Sequence, residues 1–261
     1  MLWLLPVGFA LGTLGTLVGA GGGFLLAPML LLVYPNERPD VIASISLAVV
    51  FCNALSGTIA YARMGRVDYK SGLLLSCGTV PGTVLGVFTT ALIPRRTFDL
   101  IFAGVLVLGA SLLLWRPHTR DQTSGSFIRT VTDRDGVVHN YRFNPWLAVG
   151  VSLLAGYASG LLGIGGGIIH VPLLAAVFGF PVHIATATSH FALAILAGTG
   201  TLTHLLNGTL HNGLHRTVAL GLGVLPGAQL GARWSNKVHG SWILRGLAVA
   251  LLFVAVRLIL Q

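Results

Sequence analysis

The sequence predicts an all-α polytopic membrane protein: about eight transmembrane helices in two homologous halves, the first element of each half broken at a glycine-rich motif. Three observations carry this. The 261 residues are 54% hydrophobic and only 9% charged, whereas a soluble domain carries about 25% charged residues. The apolar stretches are long and continuous, without the alternating pattern of a membrane β-barrel. Finally, motifs of the first half recur in the second in the same order.

The apolar segments fall at about 2–34, 41–62, 71–93 and 98–115, then 145–180, 183–206, 213–235 and 241–260. A straight span needs about 20 residues, so the first segment of each half is too long for one. Each contains G-x-G-G-G followed by a proline: Gly19, Gly21, Gly22, Gly23 and Pro28, then Gly163, Gly165, Gly166, Gly167 and Pro172, at a constant offset of 144. Each half should therefore open with a helix, a glycine break and a shorter helix starting near Phe24 or Ile168. "ASIS" at 43–46 matches "ATAT" at 185–188 at offset 142, and "GTVPGTVLG" at 78–86 matches "GVLPGAQLG" at 223–231 at offset 145. Residues 1–115 and 145–261 are thus two repeats. They are parallel if each has four spans, and inverted if the short helix also crosses. The glycine stripes at 78, 82 and 86 and at 223, 227 and 231 suit close helix packing.

Residues 116–144 join the repeats. "FIRTVTDRDGVVHNYRF" alternates around Asp135-Gly136 and predicts a small β-hairpin. Its arginines make this the most basic loop, hence expected on the cytoplasmic side. Counting each broken element as one span puts Arg63, Arg66, Lys70, Arg216 and both termini on that side, with Arg38, Arg95, Arg96, Arg233 and Lys237 opposite. The net charge of +9 is explained by such retention and by lipid headgroups rather than by nucleic acid. Cys52 and Cys77 lie in apolar runs and read as small packing residues; they form no metal spacing.

A glycine break leaves the following helix with unpaired N–H groups at a positive dipole end. Such groups suit an anion, so Gly21, Gly22, Gly23, Gly165, Gly166 and Gly167 are candidate substrate contacts, with Pro28 and Pro172 structural. Tight packing through Gly19-x-x-x-Gly23 and Gly163-x-x-x-Gly167 is the alternative. Ser44, Ser46, Thr186, Thr188 and Ser189 open the next helix of each half and offer uncharged donors or simple caps. His170, His190 and His204 lie deep in apolar segments; His170 and His190 are candidates for proton coupling, or neutral histidines bonded across helices. Asn53 reads more as a cross-helix bond than as a substrate contact. The seven carboxylates, Glu37, Asp40, Asp68, Asp99, Asp121, Asp133 and Asp135, all lie in or beside loops. A cation carrier usually needs intramembrane acids, so an anionic or neutral substrate is expected. No metal or cofactor is expected, and no hydrolase, metalloprotease or P-loop motif supports an enzyme or an ATP-driven pump.

The duplicated G-x-G-G-G-(x4)-P, the A-[ST]-x-[ST] stretch after it and the mid-chain hairpin resemble the sulfite exporter TauE/SafE family of bacterial inner-membrane transporters. The resemblance covers essentially the whole chain. It implies an eight-helix-type secondary transporter of sulfite, organosulfonates or related small organic anions, often outward, with the two glycine motifs and their prolines as the matching positions. The first half departs from the commoner T-S pairing, since Ser46 is followed by Leu47 where the second half has Thr188-Ser189. The expected partners are a small anionic substrate and the lipid bilayer, with no nucleic acid. The rivals are a non-transporting assembly or accessory membrane protein whose glycines serve packing alone, and a channel.

Overall fold

A computed structural model describes residues 3–114, 126–134 and 136–235, together with 252, 253, 255 and 256. The expected final span at 241–260 and the loop arginines Arg116 and Arg120 lie wholly or largely outside these residues.

Both expected breaks are present. Helix α1 (Leu4–Val18) stops at Gly19, and α2 (Gly23–Val33) follows. Numbering on through the chain, α6 (Pro145–Leu162) stops at Gly163 and α7 (Gly167–Ala176) follows. Three glycines of each motif sit at positive φ: Gly19, Gly21 and Gly22, and Gly163, Gly165 and Gly166. That region is costly for any residue with a Cβ. The fourth glycine is helical and serves a different need. A Cβ on Gly23 would lie 2.8 Å from the Ile164 carbonyl oxygen, and one on Gly167 would lie 2.6 Å from the Ala20 Cα. The two breaks therefore touch, each against the backbone of the other.

Helices α3 (Pro39–Arg63), α4 (Tyr69–Thr90) and α5 (Arg95–Leu114) complete the first half. The second continues with α8 (Val182–Leu206), a 3₁₀ turn (Thr209–Gly213) and α9 (Leu214–Trp234). Helices α3, α4, α6 and α8 are each long and apolar enough to cross a membrane. The glycine stripes pair the halves reciprocally. Gly78, Gly82 and Gly86 of α4 press on Val149, Leu153 and Tyr157 of α6, while Gly223, Gly227 and Gly231 of α9 press on Leu5, Phe9 and Thr13 of α1. Both pairs run parallel, and both approaches are too close for a side chain.

This pairing fixes the direction of the short helices. Arg216, at the start of α9 and so beside the start of α1, binds Glu37 at 2.7 Å and lies 4.0 Å over the Tyr34 ring, just past α2. Arg95 caps the same end through the Glu37 carbonyl at 2.8 Å. Helix α2 thus returns the chain to the side where α1 began. Helix α7 does the same in the second half: Phe178 and Phe180 behind it pack on Tyr141 and Phe143 of the hairpin that precedes α6. Since α1 begins opposite the hairpin and α6 begins at it, the repeats are inverted.

The expected side assignment needs correction accordingly. Arg216 lies opposite the hairpin with Glu37, and so does the first residue of α1. Arg233 lies on the hairpin side, because Ser235 just beyond it faces the Tyr61 hydroxyl near the end of α3. Each re-entrant helix adds a reversal that counting one span per broken element omits. Lys237 and the chain's C-terminal residue lie outside the described residues. Among the described residues the hairpin side carries Arg63, Arg66, Lys70, Arg129, Arg134, Arg142 and Arg233, against Arg38, Arg95, Arg96 and Arg216 opposite.

The hairpin is formed by β1 (Phe127–Thr132) and β2 (Val138–Phe143), with Phe127 opposite Phe143. Asp135 is outside the described residues, and Gly136 takes φ +81 in the turn. The hairpin is latched to the membrane body through Asp68, the N-cap of α4. Its carboxylate accepts hydrogen bonds from Arg129 (2.6 Å), the Tyr141 hydroxyl (2.6 Å) and the Ser71 hydroxyl (2.5 Å). Burial alone would raise its pKa, but these donors outweigh burial and hold it at about 2.

Two outcomes follow. Gly82→Ala, whose methyl would collide with the Leu153 carbonyl, is expected to destabilise the protein by about 1–3 kcal/mol in detergent melts. Gly150→Ala, with open space around it, is expected to be neutral or slightly stabilising. The latch should also titrate. Asp68 has a lowered pKa when folded, so its stabilisation is complete above the ordinary carboxylate value of 3.8 and is lost as the pH falls toward about 2. Hydrogen exchange of the hairpin amides, corrected for intrinsic rates, should rise across that window and be fast throughout in Asp68→Asn.

Candidate functional site

The crossing of the two breaks puts two helix N-termini back to back between α3 and α8. Gly21 and Gly165 both face Val50 and Leu193. Neither Gly22 nor Gly166, the N-caps, has a side-chain cap. Some orphan donors are met locally: Gly21 N–H bonds to the Gly15 carbonyl, and Gly167 N–H to that of Gly165. The amides of Gly22, Gly23 and Phe24, and of Gly165, Gly166 and Ile168, donate to no acceptor among the described residues. Pro28 and Pro172 lie inside α2 and α7, where each removes one backbone donor.

The structure corrects the register of the repeat between α3 and α8. Gly19 packs on Thr186 as Gly163 packs on Ala43, and Gly57 packs on His190 as Gly200 packs on Leu47. Both comparisons give an offset of 143, not 142. Ser46 therefore corresponds to Ser189, His190 to Leu47, and His204 to Tyr61.

The predicted hydroxyls divide. Ser44 donates back to the Val41 carbonyl at 2.7 Å, a local bond within its own helix. Ser46 donates to the Gly163 carbonyl at 2.6 Å and so ties α3 to the end of α6. Thr186 presents its methyl group to Gly19. Thr188 accepts from the Asp68 amide at 3.1 Å, facing the latch. Ser189 is fully buried and its hydroxyl has no partner.

Around the breaks lie two polar groups of different composition. At the second, His170 Nδ1 is unpartnered and lies 3.5 Å from where a Cβ on Gly166 would stand, with the Ser159 Cβ at 3.6 Å. His170 Nε2 meets the Ser152 hydroxyl at 3.3 Å, and the Ser159 hydroxyl has no partner. At the first, the Thr16 hydroxyl donates to Asn53 Oδ1 at 2.9 Å, and the Tyr61 hydroxyl donates to the Thr16 carbonyl at 2.8 Å. Asn53 Nδ2 is left free. His190 stands edge-on to Tyr61 with ring centroids 5.5 Å apart. The carbonyls of Thr186 and Gly19 face its ring, but neither ring nitrogen finds a partner in hydrogen-bond geometry. All of these side chains are buried. His204 stands apart, with Asp40 facing it near the opposite end. Thr16, Tyr61, Ser152 and Ser159 were not singled out from the sequence. The signal available was a lone polar residue in an otherwise apolar helix.

Buried polar groups are normally paired. Here unpaired backbone and side-chain donors converge where two helix dipoles present their positive ends, and none of the groups named at either break is a carboxylate. The arrangement can hold negative charge without supplying any. Among the described residues no group of three His, Cys, Asp or Glu side chains is placed to hold a metal ion.

Comparison with known proteins shows the family to which the chain belongs. The family model described as sulfite exporter TauE/SafE matches residues 4–258. A Bacillus subtilis protein named "Probable membrane transporter protein YunE" is 30% identical, covering 99% of this chain and 97% of its own length. A Xylella fastidiosa protein named "Probable membrane transporter protein" is also 30% identical, covering 96% and 89%. A similarly named protein of Methanocaldococcus jannaschii is 28% identical, covering 79% and 73%. No solved structure gives a significant match. A match over nearly the whole chain, to a family whose named relatives are membrane transporters, is decisive: the protein belongs to the sulfite exporter TauE/SafE family of membrane transporters.

Proposed function

We propose that this transporter is a secondary carrier that moves sulfite, organosulfonates or related small organic anions, outward, and that the anion binds where the two glycine breaks cross. The observation that carries the reading is the pair of uncapped helix N-termini, several of whose amides have no acceptor among the described residues. Helix N-termini in broken transmembrane helices attract anionic substrate groups. Neutral donors suit a cargo that must bind and then leave. Inverted repeats are a common basis for alternating access, one repeat rocking against the other around a central site. The family's description names sulfite. The positive-inside rule supports a cytoplasmic hairpin, since among the described residues seven basic residues on its side face four on the other. His170 and His190 are the candidates for proton coupling, because they are buried at the breaks, with His170 Nδ1 and both His190 ring nitrogens unpartnered among the described residues.

Thermal melts of the purified protein against sulfite, sulfate, sulfoacetate, acetate, lactate and chloride test the site. A ligand present at 100 times its Kd should add about 2.7 kcal/mol. Gly166→Ala is the matching variant: its methyl meets nothing closer than 3.4 Å, so only the positive φ is strained, by about 1–2 kcal/mol. It should stay folded and lose the anion shift. A shift that survives, or no shift with any anion in the wild-type protein, counts against the site. For coupling, His170→Gln and His190→Gln are expected to flatten the pH dependence of transport. Unchanged pH profiles in both would remove the histidines from the mechanism.

A further inference from the structure

We infer that Asn53 is a substrate-contacting residue at the first break, held by Thr16 and Tyr61 so that its amide nitrogen serves the anion. The inference rests on the anion site proposed above and names a donor within it. Asn53 is fully buried. Its carbonyl oxygen is engaged by the Thr16 hydroxyl at 2.9 Å, and Thr16 is fixed in turn by the Tyr61 hydroxyl on its carbonyl at 2.8 Å. With the oxygen engaged by Thr16, the group of the side chain left without any partner among the described residues is its amide nitrogen, which carries two N–H donors. Asn53 Nδ2 lies 3.8 Å from where a Cβ on Gly22 would stand. Gly22 is the N-cap of α2, which carries the unpaired amides of Gly22, Gly23 and Phe24. A free side-chain donor thus adds to a row of free backbone donors.

The repeat supplies an internal control. The position of Asn53 in the second half is Leu196, whose Cδ1 lies 3.4 Å from the corresponding point at Gly166. Thr16 corresponds to Gly160 and Tyr61 to His204. The same fold position accepts a plain hydrocarbon in the other half, so an amide there is not required for packing. The combined set of Asn53 amide and backbone N–H groups contains donors only. It fits a ligand that presents only acceptors, a deprotonated oxyanion such as sulfite or a sulfonate, and disfavours neutral acids and ammonium groups.

The test is anion affinity of the purified full-length protein, measured calorimetrically with sulfite and with sulfoacetate. Asn53→Ala is expected to weaken binding about ten- to hundredfold, the loss of a hydrogen bond to a charged group. Asn53→Asp, which replaces donors by a negative acceptor of the same shape, should weaken it further. Thr16→Val leaves Asn53 in place but frees its oxygen; it should weaken binding by a smaller factor that Thr16→Ser restores. Unchanged affinity in folded Asn53 variants overturns the role of Asn53 and leaves the anion site standing. Should those variants aggregate, unchanged affinity in Thr16→Val overturns it instead. No binding of either anion by the wild-type protein overturns the site itself.

Discussion

The close approach of two glycine breaks is the constraint on which the rest of this structure depends. Gly23 leaves room for the Ile164 carbonyl and Gly167 leaves room for Ala20, so the two chain reversals can occupy one place. Lipid offers no partners to backbone groups, and irregular backbone at membrane depth survives only inside protein or beside water. Burying each break against the other meets that requirement. It also sets the polarity of the centre, because both short helices start there and point away. The reciprocal pairing of α1 with α9 and α4 with α6, through contacts too close for side chains, then clasps each half around the first helix of the other.

Within this near-symmetric frame the chemistry is asymmetric. Thr16, Asn53, Tyr61 and His190 gather at the first break, where the repeat-related positions hold Gly160, Leu196, His204 and Leu47. Ser152, Ser159 and His170 gather at the second, in place of Gly8, Gly15 and Leu26. The duplicated elements supply geometry, namely positive-φ turns, helix N-termini and glycine seams. In the proposed function, the unduplicated polar side chains are the candidates for selectivity and coupling. The hairpin adds a further asymmetry, since the Asp68 latch ties it to α4 and touches Thr188 on α8 on one side only.

Much of the fold was legible in the sequence. Consecutive glycines in an apolar run have few uses, and the breaks, short helices, hairpin and glycine seams all appear where expected. The direction of α2 and α7 was not legible. It depends on which helix lies beside α1, a tertiary fact carried by Gly8, Gly12 and Gly223 rather than by any local signal, and the side assignment of Arg216 and Arg233 failed with it. The repeat register slipped by one because similar hydroxyl residues at 185–188 outweighed the backbone contacts that align Ala43 with Thr186. Hydroxyl crowding was also only a partial guide: Ser44 and Ser46 spend their protons on carbonyls. Asp68 reads as a loop acid, and only the folded hairpin reveals it as a buried latch.

The most direct measurement is sulfite exchange in proteoliposomes loaded and bathed with the anion. A carrier with one central site facing alternate sides should give saturable exchange that is accelerated by sulfite on the far side and abolished in folded Gly166→Ala. Flux that rises without saturation, or that is indifferent to sulfite on the far side and to the change at Gly166, would contradict a site formed where the breaks cross.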